Sequence, residues 1–408
     1  MQESDKRPKF NHDLLIHPSD LATAHELYPG LVDALYDPEL ITYFKQFDDR
    51  AIDAKRKSRK LGTLAILLGA AAIALAAIDV AIRVFRGDDT PILLLVGAIA
   101  AGCGLYSAAL GARGILFGPR KHEWLLNRFM GERIRQFHFQ SLIAQLPLIL
   151  AMASAAEEAP PDAAVRSKAG TPNKSDNPMA ADPARTKFLE DRHRRFVAFK
   201  AAFDELGREA KFGVTVSPGG ETGWSICKAQ DVALVPGTEA ALHNFFEACR
   251  EIRIQHQLDF ANYKLTSEPK LFSDMPQRQA ELLADVSRFS IQFVIVVHLC
   301  VVLIIVTSLL FSFQSGATTA VTGIFAFAII ALAVVSLCAH AFAQGLQPER
   351  EVERYQQYGS AVNSILTDFD ATKDPAEKLR IMRQMERTAF IEMRNFLITH
   401  HERSSFTM

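Results

Sequence analysis

The stretch FSIQFVIVVHLCVVLIIVTSLLFSF (289–313), QSGATT (314–319), AVTGIFAFAIIALAVVSLCAHAFA (320–343) and QGLQP (344–348) runs for sixty residues without an Asp, Glu, Lys or Arg. A helix rises about 1.5 Å per residue, so about 20 apolar residues cross the hydrocarbon core of a bilayer. Phe289–Phe313 and Ala320–Ala343 each reach that length, and Gln314–Thr319 between them is turn-like. Working outward, a second pair lies earlier in the chain, at Leu61–Ile78 and Pro91–Ala112. The expected fold class is an all-α integral membrane protein, with four transmembrane helices arranged as two hairpins. Long cytoplasmic helices flank them, and a small cytoplasmic insert of α+β character lies between.

The overall composition hides this pattern. A net charge of −1 with 22% charged residues reads as an ordinary soluble chain, and no global basic excess points to nucleic acid. The first twenty residues hold no apolar run, so no cleavable signal peptide is visible and the first span is expected to act as an uncleaved membrane signal. Cys103, Cys300 and Cys338 fall in spans, with Cys227 and Cys249 between the pairs. An odd count without paired spacing gives neither a disulfide framework nor a zinc site. These cysteines read as small packing residues.

Lys and Arg set the orientation. Seven of them lie between Lys45 and Lys60, and Arg113, Arg120 and Lys121 follow the second span. The opposite connections are poor: Arg83 and Arg86 stand against Asp88 and Asp89 in one, and the other has none. The positive-inside rule places both termini and the long middle in the cytoplasm, as expected of a multi-pass protein of the cell's inner (plasma) membrane. The expected divisions are N-terminal helices over 1–60, a first hairpin over 61–117 and a cytoplasmic helix over 118–150. An Ala/Pro-rich linker follows over 151–186, then a soluble region over 187–288, a second hairpin over 289–343 and C-terminal helices over 344–408.

Local signals place the helices. Pro18-Ser19-Asp20 opens one that fades at Tyr28-Pro29-Gly30, and Asp37-Pro38-Glu39 combines an Asp cap with Pro at the first helical position. From there the pattern continues through Tyr43, Phe47 and Ile52 into the first span without a breaker. A mixed helix runs from Pro119 to about Leu146, with Arg128 and Glu132 spaced to pair at i,i+4. Eleven Ala and five Pro in 151–186, among polar residues, read as a flexible linker. Residues 213–227 suggest a short β-hairpin around a Gly-rich turn, and Thr238 could cap the helix that carries Phe245 to Tyr263. Asp374-Pro375-Ala376-Glu377 has the pattern of a capping box opening the last helix.

Several residues are candidates for function. Asp79 and Arg83 form an i,i+4 pair at the outer end of the first span, where an interfacial ion pair is the simplest reading. His298 and His340 suggest haem ligation, but depth argues against it: His298 stands about 13 Å into its span and His340 about 5 Å into the other. His298 is then a packed neutral side chain or a pore-lining one. Gly97, Ala101, Gly104 and Ala108 make the second span rich in small residues, which let helices approach closely in packing or around a pore. Ser217–Gly223 has neither Gly-Lys-Ser/Thr nor G-x-G-x-x-G, and no H-E-x-x-H or G-x-S-x-G occurs. No catalytic constellation, cofactor or metal site is expected, and an enzyme is the lesser alternative.

The stretches Tyr43-Phe44-x-x-Phe47-Asp48-x-x-Ala51 and Trp124-x-x-x-Arg128-x-x-x-Glu132-x-x-Arg135 flank the first pair of spans. Glu353-Arg354-Tyr355, Met385-Glu386 and Glu392-x-x-x-Phe396-Leu397 are similar in style near the C-terminus. This plan resembles the SLATT families, two-transmembrane effectors associated with nucleotide-generating and nucleotide-sensing proteins in bacterial conflict systems. Those families usually carry one hairpin, whereas two are read here. The resemblance implies a homo-oligomeric, pore-forming or membrane-perturbing effector, gated by a cytoplasmic protein or nucleotide-signalling partner. The alternative is a membrane anchor or scaffold that docks a cytoplasmic partner without conducting. Lipid is the expected solvent of the spans in both readings, and nucleic acid is not an expected partner.

Overall fold

The computed structural model describes residues 11–86, 91–111, 119–158, 183–209, 239–266, 275–311 and 316–401, and among these no strand occurs. The main helices are α1 (Pro18–Leu27), α2 (Val32–Leu35), α3 (Pro38–Arg86), α4 (Pro91–Gly111), α5 (Pro119–Ala144), α6 (Leu146–Glu158) and α7 (Pro183–Glu209). They continue as α8 (Glu239–Cys249), α9 (His256–Leu265), α10 (Pro276–Phe311), α11 (Gly316–Leu346), α12 (Pro348–Ala371) and α13 (Pro375–His401), with a π-helical turn at Arg250–Gln255 joining α8 to α9. Eight of these helices open on proline, which suits a first turn because its missing N–H would have no partner there. The β-hairpin read at 213–227, Cys227, the Thr238 cap and most of the 151–186 linker lie outside the described residues. Where the linker is described it is helix: α6 continues to Glu158 and α7 already starts at Pro183. Alanine supports that extension because it is the strongest helix former.

Caps fix two of the starts. The Asp37 carboxylate accepts from the amides of Glu39 and Leu40, both at 3.1 Å, and so opens α3. At α13 the capping box forms only in part. Asp374 accepts from the Ala376 amide at 3.1 Å, while the Asp374 amide donates to Thr372 Oγ1 and Glu377 turns away to Arg380. α5 ends at a 68° break before α6. Pro147 explains it, since its ring removes one amide and crowds the carbonyl a turn earlier.

The chain divides into two compact units, one of Met1–Asp49, Leu126–Tyr263 and Gln356–Thr399, the other of Arg50–Leu125, Lys264–Tyr355 and His400–Met408. Helices α3, α5 and α12 each contribute several residues to both units, and α9 and α13 end just past a unit boundary. In the first unit, Leu40, Ile41, Tyr43 and Phe44 of α3 form a core with Met130, Ile134 and Phe137 of α5 and Phe196 and Phe199 of α7. Phe137 and Phe199 stack at 4.2 Å. α6 belongs to this unit: Leu146, Ile149 and Leu150 are fully buried, so its apolar side chains face protein.

The second unit behaves oppositely. Among the described residues, four helices with apolar windows in this unit are long and apolar enough to cross a membrane, and only 6 to 11% of each window is covered by the rest of the chain. Leu94, Leu95, Leu105, Leu299 and Leu303 are each more than 60% exposed. At about 2 kcal/mol apiece these five leucines alone would cost about 10 kcal/mol in water, as much as the whole stability of a typical domain. α3 and α4 touch where side chains are small. The Ser107 hydroxyl donates to the Ala65 carbonyl at 2.7 Å, a Cβ on Gly69 would meet Ser107 Oγ at 3.0 Å, and one on Gly104 would meet Ala72 at 3.7 Å. α10 packs along α11.

Between α11 and α12 a single residue, Gln347, takes a positive φ of 50°, a conformation that costs a side-chain-bearing residue energy, and its buried Oε1 finds no hydrogen-bond partner. Gln347→Gly removes both penalties, and the melting temperature in detergent should rise, by an amount equivalent to about 1 kcal/mol.

Candidate functional site

The first unit buries a compact network of charges. A one-turn 3₁₀ segment, His12–Leu14, ends on Leu15, whose φ is 52° although its side chain is almost fully buried. That strained turn is held by burial, and it points Asp13 inward. Asp13 Oδ2 lies 3.1 Å from Arg135 Nε and accepts from Arg253 Nη1 at 3.0 Å and Gln257 Nε2 at 3.4 Å. The three charged side chains are all 5% exposed or less.

Each arginine has a second anchor. Arg253, in the π-helical turn, donates from Nε and Nη2 to the two Glu386 oxygens at 2.7 and 2.9 Å, the two-pronged pairing that only a guanidinium makes. Its plane lies 4.5 Å from the Phe139 ring centre. Arg135 donates from Nη1 to both Glu132 oxygens, at 2.9 and 2.8 Å, and from Nη2 to Asn11 Oδ1 at 2.6 Å. Glu132 also meets Arg128 Nη2 at 2.7 Å. Tyr358 donates to Gln257 Oε1 at 3.0 Å, and Gln136 Nε2 to the Glu386 carbonyl at 3.1 Å. Three carboxylates, Asp13, Glu132 and Glu386, thus face three guanidiniums, Arg128, Arg135 and Arg253. The network ties together an N-terminal turn, α5, the π turn with α9, α12 and α13.

Ionisation follows from the geometry. Burial works against the charge of Glu132, but Arg128 and Arg135 outweigh it and hold its carboxyl down at about 2. Burial also opposes the Arg253 charge, and Glu386 and Asp13 override it, so the guanidinium is held more firmly protonated than usual. The Cys249 thiol beside this network is pushed up, by burial first and Glu386 second, which keeps it neutral and unreactive. His138, on the same α5, is buried edge-on to Phe139 with no hydrogen bond to Nε2. Burial drives it down to about 4, Asp37 opposing and Arg192 assisting. The described residues contain no group of His, Cys, Asp or Glu arranged to hold a metal.

The residues singled out in the sequence fall in three places. Arg128 and Glu132 pair as their spacing predicted, and with Arg135 they form half of the charge network. Trp124 belongs to the second unit, with Lys55 Nζ 5.7 Å from its ring centre. In α4 the four small residues split between two faces: Gly97 and Gly104 point at α3, with Asp79 Oδ2 4.0 Å from a Cβ built on Gly97, whereas Ala101 and Ala108 are exposed. The Asp79–Arg83 pair cannot be followed further, because the Arg83 side chain lies outside the described residues. His298 is exposed on α10, with Nδ1 2.8 Å from its own helix's Val294 carbonyl, and His340 is exposed on α11. Asp13, Arg253, Gln257 and Tyr358 were not found by sequence, and Glu386 was noticed only for its resemblance. The available signals are a charge flanked by isoleucines, Ile252-Arg253-Ile254, and an acid heading an apolar run, Asp13-Leu14-Leu15-Ile16.

Truncating one member of such a network leaves its partners charged and unpaired. Arg253→Met should destabilise the first unit by about 3–5 kcal/mol, and adding Glu386→Leu should recover part of that loss in a double-mutant cycle read by denaturant unfolding. His138 gives the pH dependence. Its folded pKa of about 4 lies below the usual 6.5, so the unfolded chain takes up the proton first, and stability falls as pH drops from 6.5 towards 4, by about 3 kcal/mol in all. Glu132 adds its own loss only below its usual 4.5, towards about 2. His138→Leu should therefore flatten melting temperature against pH between 6.5 and 4.5. No family model, curated protein or solved structure matches this chain.

Proposed function

We propose that the chain is a multi-pass protein of the inner membrane, its four spans paired as two hairpins, and that it works as an oligomeric effector gated from the cytoplasm to perturb or perforate the bilayer. The observation that carries this reading is α3. Its 49 residues, about 73 Å of unbroken helix, begin in the core of the first unit and end as an apolar span. Tyr43 and Phe44 are buried at one end, and Gly69 and Ala72 meet α4 at the other. Continuity of the helix through both units supports coupling between an event at its foot and its apolar part.

The contacts of Ala65, Gly69 and Ala72 with Ser107 and Gly104 support the first hairpin, and the α10–α11 packing supports the second. Sparse coverage of all four apolar windows leaves most of their side chains open to lipid or to neighbouring copies, which supports assembly. The charge network supplies the gate, because an ion cluster with fixed geometry has one closed arrangement and loses it as a unit.

Induced expression should depolarise cells loaded with a potential-sensitive dye. Arg253→Lys keeps the charge but loses the two-pronged contact to Glu386, and it should depolarise at a lower level of expression. Unchanged potential with the protein extracted from membranes, together with one stoichiometric partner lost on deletion of 187–265, would assign the anchor role instead.

A further inference from the structure

We propose that the basic face of α3 just ahead of its apolar run binds the phosphate groups of anionic lipids; the proposal rests on the reading of that run as a membrane span. From Arg50 to Lys60 the helix carries Arg50, Lys55, Arg56, Lys57, Arg59 and Lys60 against a single acid, Asp53. Asp53 is taken by Lys57, and Lys55 lies over the Trp124 ring. Ala51 and Ala54 form the buried side of this turn of helix, and Arg50, Arg56, Lys57 and Lys60 form the exposed side. Arg56 and Lys60 stand at i,i+4 with the same charge, a pairing that weakens a helix unless an anion lies between them.

Two features point to a lipid headgroup as the anion. Arg56 is five residues ahead of Leu61, about 8 Å along the axis, and Lys60 adjoins it, which is the depth of a headgroup layer about 5–8 Å thick. The excess is also largest at this entry: after the second span the sequence has only Arg113, Arg120 and Lys121, followed by Glu123. Ahead of α10's apolar run, Arg278 and Arg288 are matched by Glu281 and Asp285, and Arg278 approaches Glu281 at 3.6 Å. After α11, Arg350 and Arg354 are outnumbered by Glu349, Glu351 and Glu353, and Arg354 meets Glu351 at 2.6 Å. Clusters of Lys and Arg immediately cytoplasmic of a span attract anionic headgroups, each charge adding to the affinity.

The test reconstitutes the full chain in nanodiscs of mixed phosphatidylglycerol and phosphatidylcholine, then counts the lipids retained after transfer to detergent by native mass spectrometry. Phosphatidylglycerol should be enriched, and the enrichment should fall about 5-fold for each charge removed in Arg56→Gln and Lys60→Gln, and further in the double variant. Arg56→Lys should keep it, and Arg278→Gln with Arg288→Gln should leave it unchanged. Equal retention of the two lipids by wild-type protein inserted in discs would overturn the proposal and leave the span reading standing. So would undiminished enrichment in the double variant, or displacement of the lipid by dissolved glycerol phosphate, which would make a soluble anion the ligand. Failure of the protein to enter discs at all would overturn both.

Discussion

A guanidinium cannot shed its charge inside a protein, so an arginine withdrawn from water must be met by fixed anions. Arg135 and Arg253 are both nearly inaccessible, and the first unit is arranged around satisfying them. Asp13 is shared between the two, and Glu132 and Glu386 each close one side. Well-packed leucines would hold the same helices together at least as firmly. What the ions add is geometry: Arg253 meets both Glu386 oxygens in one orientation, which fixes the register of the π turn against α13.

The second unit answers to a different solvent. Its leucines point outward, and the few close contacts between α3 and α4 come from Gly69, Ala72, Gly104 and Ser107 rather than from interlocked large side chains. Where lipid surrounds a helix, burying a leucine against protein gains little, and close backbone approach matters more. Water-excluded ions belong to one unit and outward-facing hydrocarbon to the other, and α3, α5 and α12 each contribute residues to both.

Much of this was legible in the sequence for physical reasons. A span must hide its whole backbone in hydrogen bonds and its charges elsewhere, so runs such as Phe289–Phe313 announce themselves. Asp37-Pro38 fixed the start of α3 because the cap and the proline act within one turn. Arg128 and Glu132 were found together because their pairing is local, four residues apart. Asp13 with Arg253 was not, since partners 240 positions apart leave no periodic trace. α6 was missed because alanines blur the apolar rhythm, and the split of α4's small residues between two faces needed coordinates.

The spacing of the charge network along the chain bears on how the protein is made. Asp13 leaves the ribosome before the rest of its charged partners, and Glu386 follows 373 residues later, which at about 5–20 residues per second is a delay of about 20–75 seconds. During that interval Arg135 has Asp13 and Glu132 within its reach, while Arg253, once synthesised, lacks its principal counterion. The first unit is therefore closed by a helix translated only after the apolar helices α3, α4, α10 and α11 have emerged. Nascent chains stopped short of α13 would carry a charged, unsealed interior for quality control to recognise.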